Sequence, residues 1–386
     1  MDKIYNSITE YVCICFSHLR WNFVYQRPQH LMVRCSKLSR TFYVEEPVFN
    51  KEADHYKLVY QEGISVVTPF LSEEINEKSI ALRIKDLLKD LFLSEAITKY
   101  IFWYYTPMAL SFSEDFEPAL IIYDCMDELS AFKFAPPELK ELEDEMFRKA
   151  DLVFTGGKSL FEHKRTRHHN IYPLPSSIDN EHFGRARKPG NDPADQQEIP
   201  HPRFGYYGVI DERFDVELVS RVAAEKPNWH FIFIGPVVKI DAASLPQGSN
   251  IHYLGGRTYQ ELPSYIAGWD VALVPFARNE STRFISPTKT PEYLAAGKPV
   301  ISTSIKDVVD PYGTNGLVKI ADSSEEFVAA AESILKNAME EMWLQTVDHF
   351  LAGNSWDKTW TSMLELIRIT LDEKNKLFTR KKQHYV

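Results

Sequence analysis

Residues 283–303 read RFISPTKTPEYLAAGKPVIST and crowd charge, proline and hydroxyl groups in front of an alanine-rich helix. Thr290-Pro291-Glu292 predicts the helix start, with a side-chain oxygen at the N-cap, a proline at N1 whose missing N–H matters little there, and an acid at N2. Lys289 and Arg283 bring positive charge to the same end. Free backbone N–H groups at a helix mouth beside a lysine suit a diphosphate. So close to phosphate, Glu292 is of little use as a neutralising charge, and its carboxylate better suits hydrogen bonds from sugar hydroxyls such as those of a ribose. Gly297 then supplies a tight turn into the next buried strand. An ordinary capped helix is the plainer reading of the same residues.

Two further groups follow predicted strands. The stretch FSHLRWNFVYQRPQHL offers Arg20, Trp21, Gln26, Arg27 and His30, with Arg27 placed ahead of Pro28 where an anion would fit; packing aromatics and solvated arginines are the alternative. The stretch YDCMDELSAF sets Asp124, Asp127 and Glu128 in one loop, and a carboxylate within hydrogen-bond reach of a substrate hydroxyl can orient or deprotonate it. Asp127 is the first choice for that role, against a turn or capping aspartate. The first loop contains no glycine, which argues against the GxGxxG dinucleotide fingerprint, and no GxxxxGK[ST] occurs anywhere, which removes the P-loop.

Composition narrows the classes. At 386 residues the chain suits two domains, and 44% hydrophobic with 25% charged residues is ordinary for a soluble protein. With 44 Lys and Arg against 54 Asp and Glu, the net charge of -10 argues against nucleic acid as main partner. The amino terminus does not read as a secretory signal, and no apolar run is long enough to span a bilayer, so a cytoplasmic address is expected. Cys13, Cys15, Cys35 and Cys125 lack CxxC spacing and read as buried thiols, while HKRTRHH from His163 reads as a solvated basic loop; no metal site is expected.

The elements that must position these groups alternate short Val/Ile/Phe/Tyr runs with amphipathic helical stretches, the rhythm of parallel βα units. Strands are predicted at 11–17, 41–47, 64–69, 99–105, 118–124, 151–156 and 170–175, with helices at 27–38, 77–97, 137–150 and 158–166. Residues 185–202, rich in proline and charge, read as a linker. Strands then resume at 204–210, 229–236, 250–256, 270–276, 299–303 and 317–321, with helices at 213–225, 259–267, 290–297, 305–309 and 323–338. The expected fold class is α/β, with two Rossmann-like domains, 1–184 and 203–354, facing a central cleft, and a last helix, about 355–386, crossing back onto the first.

SPTKTPEYLAAGKPVIST resembles the nucleotide-sugar motif of GT-B glycosyltransferases, glycosyltransferase family 4 in particular, and FSHLRWNFVYQRPQHL with YVEEP is similar to its bacterial subgroup for capsule, exopolysaccharide and teichuronic acid synthesis. The resemblance covers nearly the whole chain. It implies that Glu292 holds the donor ribose, with Ser286, Thr288 and Thr290 of the same motif beside it. Glu292 matches the second glutamate of the family's E-x7-E pattern, and Phe284 stands where the first would be. Arg213, in GVIDERFD with Gly208 just before it, resembles the arginine that stabilises the donor β-phosphate; the lysine that follows in the family has no counterpart, and Lys289 takes its place. YLGGRTYQELP resembles the segment that reads the nucleobase, which brings in Tyr253, Leu254 and Arg257.

The resemblance implies hexosyl transfer from a nucleotide sugar, foremost a UDP-hexose, to a glycan or lipid-linked acceptor. It implies a retaining reaction without metal or other cofactor, in which Arg213, Lys289 and the helix mouth stabilise the departing diphosphate. The missing first glutamate keeps open an inverting reaction with Asp127 as base. A nucleotide-sugar epimerase and a non-catalytic nucleotide-sugar-binding subunit are further alternatives on the same fold. The basic tail KNKLFTRKKQHYV fits peripheral contact with an anionic membrane at its inner face, with plain solubility as the simpler reading.

Overall fold

The structure, a computed structural model, describes residues 8–74, 78–188, 190, 192–337 and 341–384, and side chains as far as 377. The first seven residues of the amino terminus and the tail side chains from 378 on, where part of the signal and membrane expectations fall, lie outside the described residues.

Among the described residues the first domain is a nine-stranded sheet. Its core is parallel: β1 (Val12–Phe16) lies between β2 (Thr41–Val44) and β6 (Tyr100–Tyr104), followed outward by β7 (Ile121–Cys125), β8 (Leu152–Thr155) and β9 (Ile171–Pro173). On the other flank β5 (Ile64–Ser72) pairs with β2, and the short β3 (Val48–Asn50) extends that edge. The all-parallel expectation fails at β4 (His55–Gln61), which runs antiparallel to β5 through a two-residue turn. Glu62 and Gly63 have φ of 51° and 82° there, as a tight hairpin demands.

The second sheet is wholly parallel, ordered β12 (Ile251–Gly255), β11 (His230–Ile234), β10 (Arg203–Tyr207), β13 (Val271–Val274), β14 (Val300–Ser302) and β15 (Val318–Ile320). Both sheets are doubly wound, and in both the first strand sits at the point where strand order reverses. Ligands of such sheets bind at the carboxyl ends of the strands beside that point. The loops after β1 and β10 therefore face the functional region.

Ile178, Phe183 and Ala186 pack in the second core, so the chain passes to the second domain ahead of the proline-rich stretch at 185–202. The helix Trp356–His384 returns to the first: Trp356, Trp360, Met363, Leu364, Ile367 and Leu371 pack with β1, β6 and β8 residues. Arg34 with Asp357, at 2.7 Å, and Lys374 with Asp151, at 2.6 Å, pin it at two points. The four cysteines are buried and free.

The basic run from His163 departs from its predicted solvated state. Lys164 is buried between Glu128 and Glu143 at 2.6 and 2.7 Å, and Arg167 reaches Glu143 at 2.6 Å and lies over the Phe147 ring. Glu143, on the helix Leu139–Lys149, needs those cations because an unpaired buried carboxylate is expensive.

Candidate functional site

A cleft of about 900 Å³ runs between the carboxyl ends of the two sheets. Its second-domain wall is built from the loop after β10 (Tyr207, Gly208, Val209 and Arg213), the loop after β11 (Ile234 to Pro236), the stretch 256–262, and Thr288, Lys289 and Glu292. The first domain supplies residues 21–26 and the hairpin tip, Gln61 and Glu62.

The helix of the 283–303 motif is capped two residues earlier than predicted. Lys289 is its first residue and Thr288 its cap, already at φ -61° and ψ -27°, and the Glu292 N–H donates to the Thr288 carbonyl at 3.3 Å. Pro291 thus sits third in the helix, where its missing N–H is still one of the groups that lack an intrahelical partner. Thr290, expected at the cap, is buried with its hydroxyl unpartnered. Gly297 has φ of 72°, as the predicted turn requires.

Two glycines let backbone and lysine converge on the cleft floor. Gly208 has φ of 134°, and a Cβ there would stand 2.3 Å from Lys289 Cε and 2.8 Å from its Nζ. Gly235, with φ of 143°, packs so closely that a Cβ would meet the Gly208 carbonyl oxygen at 1.9 Å. Lys289 Nζ lies 5.7 Å from the Tyr206 ring centre and 5.8 Å from that of Phe276, and it has no ion pair among the described residues. Burial, then the Arg213 charge, pull it down to about 8.

Arg213 is fixed by Asp211: Nε donates to both carboxylate oxygens at 2.9 and 3.1 Å, and a terminal nitrogen donates at 2.6 Å. The guanidinium stays partly exposed and lies 5.3 Å from the Phe132 ring of the opposite domain. Glu292 is buried and accepts from the Tyr207 hydroxyl; burial pushes its carboxyl up to about 7, with Tyr207 and Lys289 opposing. Asp127 joins from across the cleft. Burial raises it to about 6, against the pull of Arg213, Lys289 and Arg27. Two cations, a tuned carboxylate on each side and open backbone are what a departing diphosphate and an incoming hydroxyl need.

Other predicted site residues have different occupations. Arg27 and Asp124 are fully buried and joined by three hydrogen bonds of 2.8 to 3.1 Å, with a further arginine bond to the Leu174 carbonyl, so neither reaches the cleft. Glu128 holds Lys164. His30 is stacked on Trp356 at 4.4 Å beneath the terminal helix. Arg20 pairs with Glu45 at 3.1 Å, while Trp21, anchored by its N–H to the same glutamate, does line the cleft. Arg283 is exposed, pairs with Glu280 at 3.5 Å and lies over the Phe284 ring, and it is not among the residues that line the cleft.

The remaining motif residues divide. Thr288 and Arg257 line the cleft, with Arg257 bonded to Tyr265 and Asp195. Tyr253 instead lines an adjoining hollow of about 440 Å³ and donates to the Pro246 carbonyl at 3.0 Å, while Leu254 packs on the second core. Ser286 lies against Gly157 and Asp307 at the domain seam. Phe284, at the position of the absent glutamate, stacks on His163 with ring centres 4.4 Å apart. Among the described residues no three His, Cys, Asp or Glu side chains are grouped to hold a metal.

Sequence reasoning missed Tyr207, Asp211, Gly235 and Tyr259. Tyr259 lines the cleft, stacks on Tyr25 of the first domain at 4.7 Å and on His182 at 4.0 Å, and keeps a buried hydroxyl without a partner. Asp211 and Gly235 each follow a strand end, a position that signals them; the two tyrosines read as core aromatics. A separate hollow of about 550 Å³ behind the second domain offers no free charge at Arg187 or Lys298, since Arg187 is held by Asp348 and Lys298 by the Ala267 and Trp269 carbonyls.

Residues 204–337 match the family described as glycosyl transferases group 1. Over 274 residues the chain is 23% identical to TuaH of Bacillus subtilis (strain 168), which is named as a teichuronic acid biosynthesis glycosyltransferase; the match covers 66% of this chain and 68% of that one. Among solved structures, trehalose-6-phosphate from E. coli bound with UDP-2-fluoro glucose superposes with a TM-score of 0.66 at 13% identity, covering 92% of this chain and 98% of that chain. Sucrose-phosphate synthase from Thermosynechococcus elongatus gives 0.64 at 12%, covering 97% and 100%. Anabaena HepE in complex with UDP and glucose gives 0.65 at 13%, covering 92% and 98%. The chain has the fold of the GT-B glycosyltransferases, and its second domain matches the glycosyl transferases group 1 family over residues 204–337.

Proposed function

We propose that the protein transfers a hexose from a UDP-sugar to a glycan or lipid-linked acceptor in the assembly of a cell-surface polysaccharide. The carrying observation is the unpaired Lys289 ammonium packed on Gly208, beside an Arg213 that Asp211 holds in place. Bond cleavage at the anomeric carbon leaves one further negative charge growing on a diphosphate that already carries two, and preformed cations in the cleft stabilise it by several kcal/mol relative to water, on the order of what one positioned donor supplies elsewhere. Glu292 accepts the ribose hydroxyls, and Thr288 and the 256–258 backbone lie along the nucleoside. The name of the B. subtilis relative supports the polysaccharide, and the UDP complexes among the similar folds support the base.

In the retaining reading, the leaving phosphate takes the acceptor proton and the new bond forms on the face that the old one left, without a metal ion or other cofactor. The inverting reading has its own observation: Asp127, raised to about 6, is poised as a general base across from Arg213 and Lys289. Proton NMR of the first-formed product distinguishes them by the coupling constant at its anomeric proton.

The donor assignment is tested by thermal shift with UDP, UDP-glucose and GDP-mannose. A ligand at 100 times its Kd stabilises by about 2.7 kcal/mol. UDP and UDP-glucose should raise Tm in the native chain and not in Lys289→Ala; an equal rise in both would remove the assigned site. For the localisation, proposed as cytoplasmic with peripheral contact at the inner membrane face, no described helix is long and apolar enough to cross a membrane. Co-sedimentation with anionic vesicles that is unchanged on removing the tail from residue 374 would count against that contact.

A further inference from the structure

Beside the residues that line the cleft, the region between the domains holds a second set of polar groups. β1 and β2 are parallel neighbours paired as far as Phe16 and Val44, and His18 and Glu46 each follow two residues beyond those strand ends. The His18 Nδ1 is buried and has no hydrogen-bond partner. Glu46 is exposed and has no hydrogen bond or ion pair among the described residues, while its neighbour Glu45 is committed to Arg20, Trp21 and Thr68.

Facing them from the second domain is Lys239, whose charge acts on both His18 and Glu46. Lys239 has no ion pair among the described residues, and its exposure alone would make it an ordinary solvated lysine. Its setting is not ordinary. The residue is held at φ of 63°, a left-handed conformation that a lysine adopts only under constraint. Its carbonyl accepts from Lys133 Nζ of the first domain at 3.3 Å, and its ammonium lies 5.4 Å from the centre of the Phe132 ring that also meets Arg213. Glu212, next to Arg213, accepts the Lys133 N–H at 2.9 Å and keeps its other oxygen buried and unpartnered. One aromatic ring thus sets the diphosphate arginine and a free lysine at a fixed spacing.

Resting on the donor assignment above, we propose that His18, Glu46 and Lys239 form the acceptor subsite, and that it selects a sugar carrying a negative charge, with Lys239 pairing its phosphate or carboxylate. Burial first, and the lysine charge second, hold the His18 imidazole down to about 4, so near neutral pH it is uncharged; one ring nitrogen is engaged by the Tyr105 backbone, which leaves the unpartnered Nδ1 to accept from a sugar hydroxyl. Glu46 accepts a second hydroxyl. Without the anion, Lys239 beside a neutral histidine has nothing to gain from a neutral sugar, which gives the site its discrimination.

The test is thermal shift and calorimetry on the full chain with glucose, glucuronate and glucose 6-phosphate, with and without UDP. Glucuronate or glucose 6-phosphate should stabilise the native chain and glucose at the same concentration should not, the stronger of the two acids naming the anion. Lys239→Ala should abolish that preference, by tenfold or more in Kd, while the shift given by UDP alone stays as in the native chain. Glu46→Gln should weaken all sugars and keep the preference. Equal shifts by the three sugars, no shift by any at 50 mM, or an unchanged preference in Lys239→Ala would each overturn the subsite. Loss of the UDP shift in the native chain would instead fault the donor assignment.

Discussion

Tyr207, at the end of β10, donates its phenolic O–H to the carboxylate of Glu292, on the helix that follows β13, and so couples the wall of the cleft to the second core. The Tyr207 N–H in turn donates to the Tyr293 hydroxyl at 3.0 Å, which fixes the strand end against the same helix. The phenol pulls the Glu292 carboxyl down against burial, so Tyr207→Phe should carry it above its present value of about 7. A carboxylate that accepts ribose hydroxyls is present only above its pKa. UDP affinity, measured by calorimetry from pH 5.5 to 9, should therefore lose its acid limb at higher pH in Tyr207→Phe than in the native chain. Coincident limbs would show that Glu292 does not govern binding.

Lys289 makes the opposite demand. Its pKa of about 8 lies below the usual lysine value, so the folded chain loses this charge as pH rises through 8. Donor binding should weaken there. For folding the sign is reversed: a depressed lysine opposes folding while it must stay charged, and stability from this group rises between pH 8 and the unfolded lysine value. Lys289→Met removes both effects. At pH 7 its Tm should be higher than native, by about 1 kcal/mol or more of stability, and its UDP-dependent shift should vanish. A destabilised Lys289→Met that still responds to UDP would contradict the assignment twice over.

Gly208→Ala examines the floor of the cleft without touching a charge. The added methyl would meet Lys289 Cε at 2.3 Å, and φ of 134° is a conformation that alanine rarely adopts. Backbone strain of this kind costs about 1–3 kcal/mol. The lysine must also swing off the phosphate position, so UDP binding should fall by more than tenfold. Denaturant titration and calorimetry on the same preparation would read the two losses separately.

The fold was legible because βα rhythm is local: runs such as CICF, FIFI and VALV are buried whole between helices, and their periodicity needs no tertiary information. β4 was not, because HYKLVYQ is largely exposed at an edge and lacks a buried face to betray it, although Glu62-Gly63 marks its turn. The helix Glu341–Leu351 escaped for a similar reason, with few of its residues buried. At the site, Lys289 and Glu292 could be read because Thr290-Pro291 marks the start of their helix, and Arg213 because it follows shortly after the end of β10. Arg27 misled because the partner that neutralises it, Asp124, is 97 positions away and no spacing rule reaches that far.

Asp124 lies in β7 and Asp127 just past its end, and the two carboxylates have different surroundings. Asp124 is buried against Arg27 with its oxygens committed, and removing one member of such a pair leaves the other charge bare at a cost of about 3–5 kcal/mol. Asp124→Ala should therefore unfold at markedly lower temperature, and any loss of activity should follow the loss of folded protein. Asp127 has no hydrogen bond to its carboxylate among the described residues, and its raised pKa, about 6, means that folding gains from this group below the unfolded aspartate value and loses it as pH climbs through 6. At pH 7.5 Asp127→Asn should be as stable as the native chain or slightly more so. If Asp127 takes or orients the acceptor proton, transfer should nevertheless drop by about 10²-fold or more, with UDP affinity retained, and the acid limb near pH 6 should leave the rate profile. Normal transfer by Asp127→Asn, measured with folded enzyme of native Tm, would leave the acceptor proton to the departing phosphate and exclude the inverting course.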